Sequence, residues 1–170
     1  MIEDFLDTTV IGIIEMEHKI CLVGAGGVGK TTYIYKKVSG HYKERYVPTL
    51  GVENTTVTVD GVAFRVWDCA GTKKYAGLGH GYYFESHGAL IFFDKKSSFE
   101  QSLKYAKILA FLNGNIPIVF VWSKYHSDPE LEKEVLGKLP FACPLIKINT
   151  EESLNLDTPF LALMNLAKFD

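Results

Sequence analysis

Three observations predict an α/β domain built on a mostly parallel sheet. Wholly apolar runs at 88–93 and 116–122 are what strands covered on both faces of such a sheet require. Segments with apolar residues at helical spacing alternate with these runs, so strands and helices succeed one another along the chain. A glycine-rich stretch, Gly24 to Thr32, lies between one strand and the helix after it. A single hairpin interrupts the alternation and supplies one antiparallel edge strand. A chain of 170 residues suits one domain with a substantial core, here 18–170, preceded by an N-terminal extension, 1–17.

In that extension Val10-Ile11-Gly12-Ile13-Ile14 either lengthens the first strand or forms a short one of its own. The first strand is His18 to Val23. A helix beginning at Lys30 stops at Ser39-Gly40-His41, with Gly40 as C-cap. Tyr42 to Val52 reads as a long surface loop. Thr55–Val59 and Val62–Trp67 are β-branched or aromatic runs flanking Asp60-Gly61, a hairpin signal. Thr72 to Gly81, with three glycines and two lysines, reads as a mobile loop. The Tyr82-Tyr83-Phe84 cluster reads as core, and Tyr75 as an exposed partner contact.

Gly88 to Phe93 is a buried strand ended by Asp94. Phe99, Leu103, Ala106, Leu109 and Ala110 mark a helix over 97–112, with Ser97 or Ser98 as N-cap and Glu100 or Gln101 completing a capping box. Ile116 to Trp122 is the next strand. Pro129 to Leu139 is a short charged helix capped by Asp128. Leu145 to Ile148 is the last strand, and Thr158 to Phe169 the closing helix.

Composition removes several classes. With 47% hydrophobic and 22% charged residues the chain matches an ordinary soluble globule. A formal net charge of −2 gives no electrostatic reason for nucleic-acid or anionic-membrane binding. No run approaches the roughly 18 apolar residues of a membrane span. The acidic start Met1-Ile2-Glu3-Asp4 is unlike a secretory signal, and neither end carries a lipidation motif. Cys21, Cys69 and Cys143 lack metal-ligand spacing, which suits reduced thiols inside a cell. The five histidines, His18, His41, His80, His87 and His126, likewise lack metal-ligand spacing.

Gly24-Ala25-Gly26-Gly27-Val28-Gly29-Lys30-Thr31-Thr32 fits G-x-x-x-x-G-K-[ST], the phosphate-binding loop of nucleoside triphosphatases. Small residues let backbone N–H groups approach oxyanions, and the helix opening at Lys30 aims its positive end at the same point. Lys30 would reach the β- and γ-phosphates, and the Thr31 hydroxyl would ligate Mg²⁺.

Asp68-Cys69-Ala70-Gly71, at the end of a strand, narrows the chemistry. Asp68 can hold Mg²⁺ through water while the Gly71 N–H meets a γ-phosphate. Small-molecule kinases usually bring a lid with several arginines, whereas this chain has only Arg45 and Arg65. Thr49 can add a second hydroxyl to Mg²⁺. Loss of the γ-phosphate would then release Thr49 and Gly71 together, a binary switch that partners can read.

The runs Tyr46-Val47-Pro48-Thr49-Leu50-Gly51-Val52-Glu53, Trp67-Asp68-Cys69-Ala70-Gly71 and Tyr75-Ala76-Gly77-Leu78-Gly79-His80-Gly81-Tyr82-Tyr83 resemble the switch regions of the Ran branch of the Ras-like small GTPases. Ile116-Pro117-Ile118-Val119 and Thr158-Pro159-Phe160-Leu161-Ala162-Leu163 are also similar to Ran segments, so the resemblance covers about 18–168. It implies a P-loop small-GTPase fold with a six-stranded sheet and about five helices, and bound GTP or GDP with Mg²⁺. It also implies partners among importin-β type transport receptors and Ran regulators, a monomer, and placement in nucleus or cytoplasm. Tyr42 falls where the family sets an aromatic residue beside the base.

Departures from the family are specific. Thr72 stands where the family has the glutamine that orients the attacking water, so hydrolysis is expected to be very slow and enzymatic turnover is left open. Lys73 and Lys74 follow where an acidic residue is usual. The guanine-reading Asn-Lys-x-Asp falls on Ser123-Lys124-Tyr125-His126, with Asp128 two residues late, either a displaced base ligand or only a helix cap. The second base segment falls on Asn149-Thr150-Glu151, whose backbone N–H groups can serve although Glu151 reverses the usual charge. Three readings follow: a Ran-like switch or mimic, a pseudo-GTPase scaffold, and a P-loop NTPase with relaxed base preference.

Overall fold

The structure is a computed structural model that describes residues 17–169 apart from 44, 46 and 74–76. Expectations for the 1–16 extension, Tyr46, Lys74, Tyr75 and Ala76 lie outside the described residues. Six strands form one sheet in the order β2-β3-β1-β4-β5-β6. They are β1 (His18–Gly24), β2 (Val52–Val59), β3 (Val62–Cys69), β4 (Gly88–Phe93), β5 (Ile118–Trp122) and β6 (Leu145–Lys147). Among the described strands β2 alone pairs antiparallel, with β3; the other four pairings are parallel. Four α-helices, α1 (Lys30–Ser39), α2 (Lys96–Asn113), α3 (Pro129–Lys138) and α4 (Thr158–Leu166), and a 3-10 helix (Gly79–Tyr83) accompany the sheet.

Alternation of side chains along the strands builds two cores. Ile20 and Leu22 of β1, Phe64 and Val66 of β3, and Leu90 and Phe92 of β4 pack with Tyr33 of α1 and Phe160 and Leu163 of α4. The intervening residues, Cys21, Val23, Ala89, Ile91 and Phe93, face the opposite way and meet Phe99, Ala106 and Leu109 of α2 and Val135 of α3. Both faces of β1, β4 and β5 are thereby covered, which is why those sequences are apolar throughout.

Several element ends differ from the sequence reading. The hairpin turn at Asp60 (φ 47) and Gly61 (φ 79) is as expected, but its strands extend to Val52 and Cys69, carrying Asp68 into the ladder. β5 begins at Ile118 because Pro117 has no N–H to pair, although its carbonyl still accepts from Ala89 N at 3.0 Å. α2 is capped at Lys95, not at Ser97 or Ser98. Ser98 stands three residues in, and its Oγ accepts from Lys95 N at 3.1 Å and Asp94 N at 3.0 Å. α4 stops at Leu166, so Phe169 leaves the helix and packs edge-on against Phe64 and His18. The segment read as a loop to Gly81 turns into the 3-10 helix at Gly79. The aromatic cluster divides: Tyr83 is buried, whereas Phe84 is 53% exposed. No helix among the described residues is long and apolar enough to cross a membrane.

The parallel order places the C-terminal ends of β1, β3, β4 and β5 along one edge. The chain leaves β1 through α1 to reach β2 and β3 on one side of β1, and leaves β4 through α2 to reach β5 on the other side. The crevice created by that divergence is where doubly wound sheets take their ligands.

Candidate functional site

The loop from Gly24 to Gly29 joins β1 to α1 at this edge. Gly24 has φ +147, and a Cβ there would lie 2.5 Å from Phe92 O on β4, so only glycine fits. Lys30 opens α1, yet its ammonium turns back across the loop. Nζ donates to Gly24 O at 2.9 Å and Ala25 O at 3.0 Å. Burial lowers its pKa to about 8, partly opposed by the Asp68 charge.

Thr31, one residue on, meets both other candidate metal ligands. Its Oγ1 lies 2.7 Å from Thr49 Oγ1 and donates to Asp68 Oδ2 at 2.5 Å. Asp68 is 2% exposed, and its Oδ1 is buried with no hydrogen-bond partner. Burial pushes the Asp68 carboxyl up to about 6, against the Thr31 hydrogen bond and the Lys30 charge, which pull it down; Glu53 adds a smaller push upward. A buried carboxylate oxygen without a donor beside two hydroxyls is a donor set of hard oxygens. It fits Mg²⁺. Thr31, Thr49 and Asp68 would hold the ion, which would supply positive charge against a bound phosphate group.

Gly71 and Thr72 press onto the same cradle. A Cβ on Gly71 would lie 2.4–2.5 Å from Gly24 O, Ala25 C and Gly26 N. Thr72 Oγ1 is 2.3 Å from where a Gly26 Cβ would be. The loops bearing Thr49 and Gly71 are themselves joined, since Ala70 N donates to Gly51 O at 2.9 Å.

Beside the cradle a cavity of about 330 Å³ gathers the expected base-contacting residues: Tyr42, Ser123, Lys124, Asn149, Thr150 and Glu151, with Gly29 and Thr32 at its phosphate end. Ser123 Oγ donates to Val28 O, with Phe93 O 3.2 Å away as the alternative acceptor, locking the end of β5 to the phosphate loop. Lys124 adopts φ 53, and its Nζ donates to Gly27 O at 2.6 Å.

His126 is not brought to that cavity. It lines a separate one with Asp94, Lys96 and Glu134. The reason is local: Tyr125 N donates to Ile148 O at 2.9 Å and its ring meets Trp122 edge-on, which fixes the loop with residue 126 turned away. Asp128 is the cap of α3, its Oδ1 accepting from Leu131 N at 3.0 Å. The alternative that it substitutes for the base-reading aspartate has no support in this geometry.

Sequence reasoning missed Asp94. Its Oδ2 pairs with Lys124 Nζ at 3.4 Å and its Oδ1 accepts from Ser98 Oγ at 2.8 Å, so it anchors the lysine that borders the cavity. The available signal was an acid ending a buried strand beside β5.

The family model described as Ras of Complex, Roc, domain of DAPkinase matches residues 19–126. The chain belongs to the Roc family. Roc domains are Ras-like GTPase domains, and membership carries with it the Ras superfamily, guanine-nucleotide binding and, at a coarse level, a GTP-dependent switch. The matched residues of this Roc domain run from β1 through the phosphate loop, Thr49, Asp68 and Gly71 to the end of the 123–126 segment.

Proposed function

We propose that this Roc-family chain holds GTP or GDP through Mg²⁺, hydrolyses GTP very slowly, and signals its state through the segments bearing Thr49 and Gly71. The observation that carries the reading is the Thr31 hydroxyl set between Thr49 and Asp68, with Asp68 Oδ1 unpaired beside the Lys30 cradle. Lys30 would balance phosphate charge, and Gly71 N–H would meet the γ-phosphate. The Ala70–Gly51 hydrogen bond supports a coupled response of both segments. Slow hydrolysis follows from Thr72, whose side chain is too short to orient water as a glutamine does.

The finer assignment, a Ran-like role with importin-β type receptors in nucleus or cytoplasm, rests on the residue runs quoted above. Val47, Leu50 and Leu78, exposed at 54%, 71% and 74%, give those runs an apolar surface for a partner. A second reading, relaxed base preference, is favoured by the displacement of His126 and by the capping role of Asp128. The remaining alternative is a pseudo-GTPase scaffold, in which the fold serves protein contacts without holding nucleotide.

Calorimetry with GTP, GDP and ATP, with and without Mg²⁺, tests the core claim. Tight Mg²⁺-dependent binding of GTP and GDP, lost in Lys30→Ala, is expected. No binding of any nucleotide would leave the scaffold reading standing. Equal affinities for ATP and GTP would favour relaxed preference. Failure of the triphosphate form to bind an importin-β type receptor more tightly than the diphosphate form would remove the Ran-like assignment alone.

A further inference from the structure

We propose that the Glu151 side chain is the carboxylate that reads the nucleotide base, entering from the loop after β6 and not from the 123–128 segment. The inference rests on the reading of the 330 Å³ cavity as a nucleotide site.

Three observations converge. First, the 123–128 segment brings no acid to the base cavity: residue 126 is a histidine lining another cavity, and Asp128 is spent on Leu131 N. Second, Glu151, an exposed residue, is the sole acid among the described residues lining the base cavity, where Tyr42, Ser123, Lys124 and Thr150 also stand. Third, its carboxylate is uncommitted within the described residues, with no hydrogen bond or ion pair. Lys124 does not neutralise it, because that ammonium is engaged by Gly27 O and Asp94.

The loop that carries Glu151 is tied on both sides. Asn149 and Leu154 form an isolated bridge, with Leu154 N donating to Asn149 O at 2.8 Å. Glu152 N donates to Asn149 Oδ1 at 3.1 Å, and Ser153 N to Thr150 O at 3.4 Å. Glu151 therefore projects from a backbone already fixed, and binding would order one side chain, not a segment.

An ionised carboxylate is an acceptor only, with two oxygens. Guanine offers it two adjacent donors, N1–H and the N2 amine. Adenine presents an unprotonated N1 at the corresponding edge, and xanthine replaces the amine with a carbonyl, so each would set an acceptor against the carboxylate. A site built to receive hydrogen bonds rejects a ligand that leaves them unmade far more strongly than an apolar site does. Glu151 would thus restore guanine preference to a chain whose usual reading loop has lost its acid.

The test is the affinity of the full chain for GDP, ADP and xanthosine diphosphate in Mg²⁺, for the wild type and for Glu151→Gln. Glutamine keeps the shape but offers one acceptor and one donor. The wild type is expected to prefer GDP. Glu151→Gln should lose about tenfold or more in GDP affinity, gain for xanthosine diphosphate and stay unchanged for ADP. The gain also shows that the variant is folded. An equal change for all three nucleotides would put the carboxylate on the ribose or in the general field and overturn the proposal. Unchanged affinities in a wild type that binds GDP tightly would overturn it while leaving the nucleotide site intact. A wild type that binds none of the three would fail the site itself, and this inference with it.

Discussion

Thr31 Oγ1 donates to Asp68 Oδ2 at 2.5 Å, tying the first turn of α1 to the last residues of β3. The bond satisfies one carboxylate oxygen and leaves the other, Oδ1, buried without a donor. A protein does not usually bury an ionised oxygen in this way without using it. Asp68→Asn is therefore expected to leave the thermal stability of the nucleotide-free protein unchanged or raised. It should also abolish the Mg²⁺-dependent part of nucleotide affinity. Titrations in Mg²⁺ and in EDTA should coincide for the variant; a retained difference would remove Asp68 from the metal site.

Gly71 touches the cradle where no side chain fits, within 2.4–2.5 Å of three backbone atoms at the Cβ position. Backbone cannot give way as a side-chain tip can, so Gly71→Ala must push the Gly71-Thr72 segment off the loop. Nucleotide exchange should become faster, by about tenfold or more if the segment contributes even 1.4 kcal/mol to closure. Fluorescent-nucleotide release rates measure this, and an unchanged rate would contradict the contact.

Asp128 caps α3 through Leu131 N. Asp128→Ala should lower stability by about 1 kcal/mol, the usual worth of such a cap, and leave GDP affinity as it was. Denaturant unfolding and calorimetry on one preparation separate the two effects. A fall in GDP affinity with stability intact would return Asp128 to the base site.

Thr72 is exposed, and its hydroxyl approaches Gly26. Thr72→Gln supplies the reach and the amide that water positioning needs. Single-turnover GTP hydrolysis is expected to rise by at least about tenfold. Wild-type hydrolysis as fast as that of the variant would show that threonine is not the cause of slowness.

His87 gives a pH signature remote from the site. Its Nδ1 accepts from Lys19 N at 2.8 Å, so the ring must be neutral to make that bond. Partial burial lowers its pKa below 6.5, helped by the neighbouring His18 and Lys19 and opposed by Glu85. The folded form therefore binds fewer protons than the unfolded chain just below pH 6.5. Stability is present above that pH and falls as the pH drops through the lowered folded value. His87→Ala should flatten this part of a stability–pH curve, measured by urea unfolding between about pH 5 and 7; an unchanged slope would assign the effect elsewhere.

Much of this was legible in local chemistry. Apolar strands declared themselves because both faces of the parallel sheet are covered, and Asp60-Gly61 because only a few residues tolerate the positive φ of a tight hairpin turn. The phosphate loop was equally plain, since close backbone approach demands small residues in a fixed order. Element ends were less so. Ser98 looks like a cap by composition, yet it bonds backward to Lys95 from inside the helix, a choice made by where β4 delivers Asp94.

The base cavity shows the boundary between the two kinds of information. Residue order by itself fixed which groups stand in line: the lysine and threonine after the glycines, the aspartate at the strand end, the histidine where an acid is usual. It could not say whether Asp128 reaches the base or only caps the next helix, because either role suits an aspartate two residues past the usual position. The tertiary structure spends Asp128 on the end of α3, away from the cavity that Glu151 lines with Tyr42 and Lys124. The physical reason is that helix capping is satisfied within a few residues, whereas a ligand cavity exists only where distant loops meet.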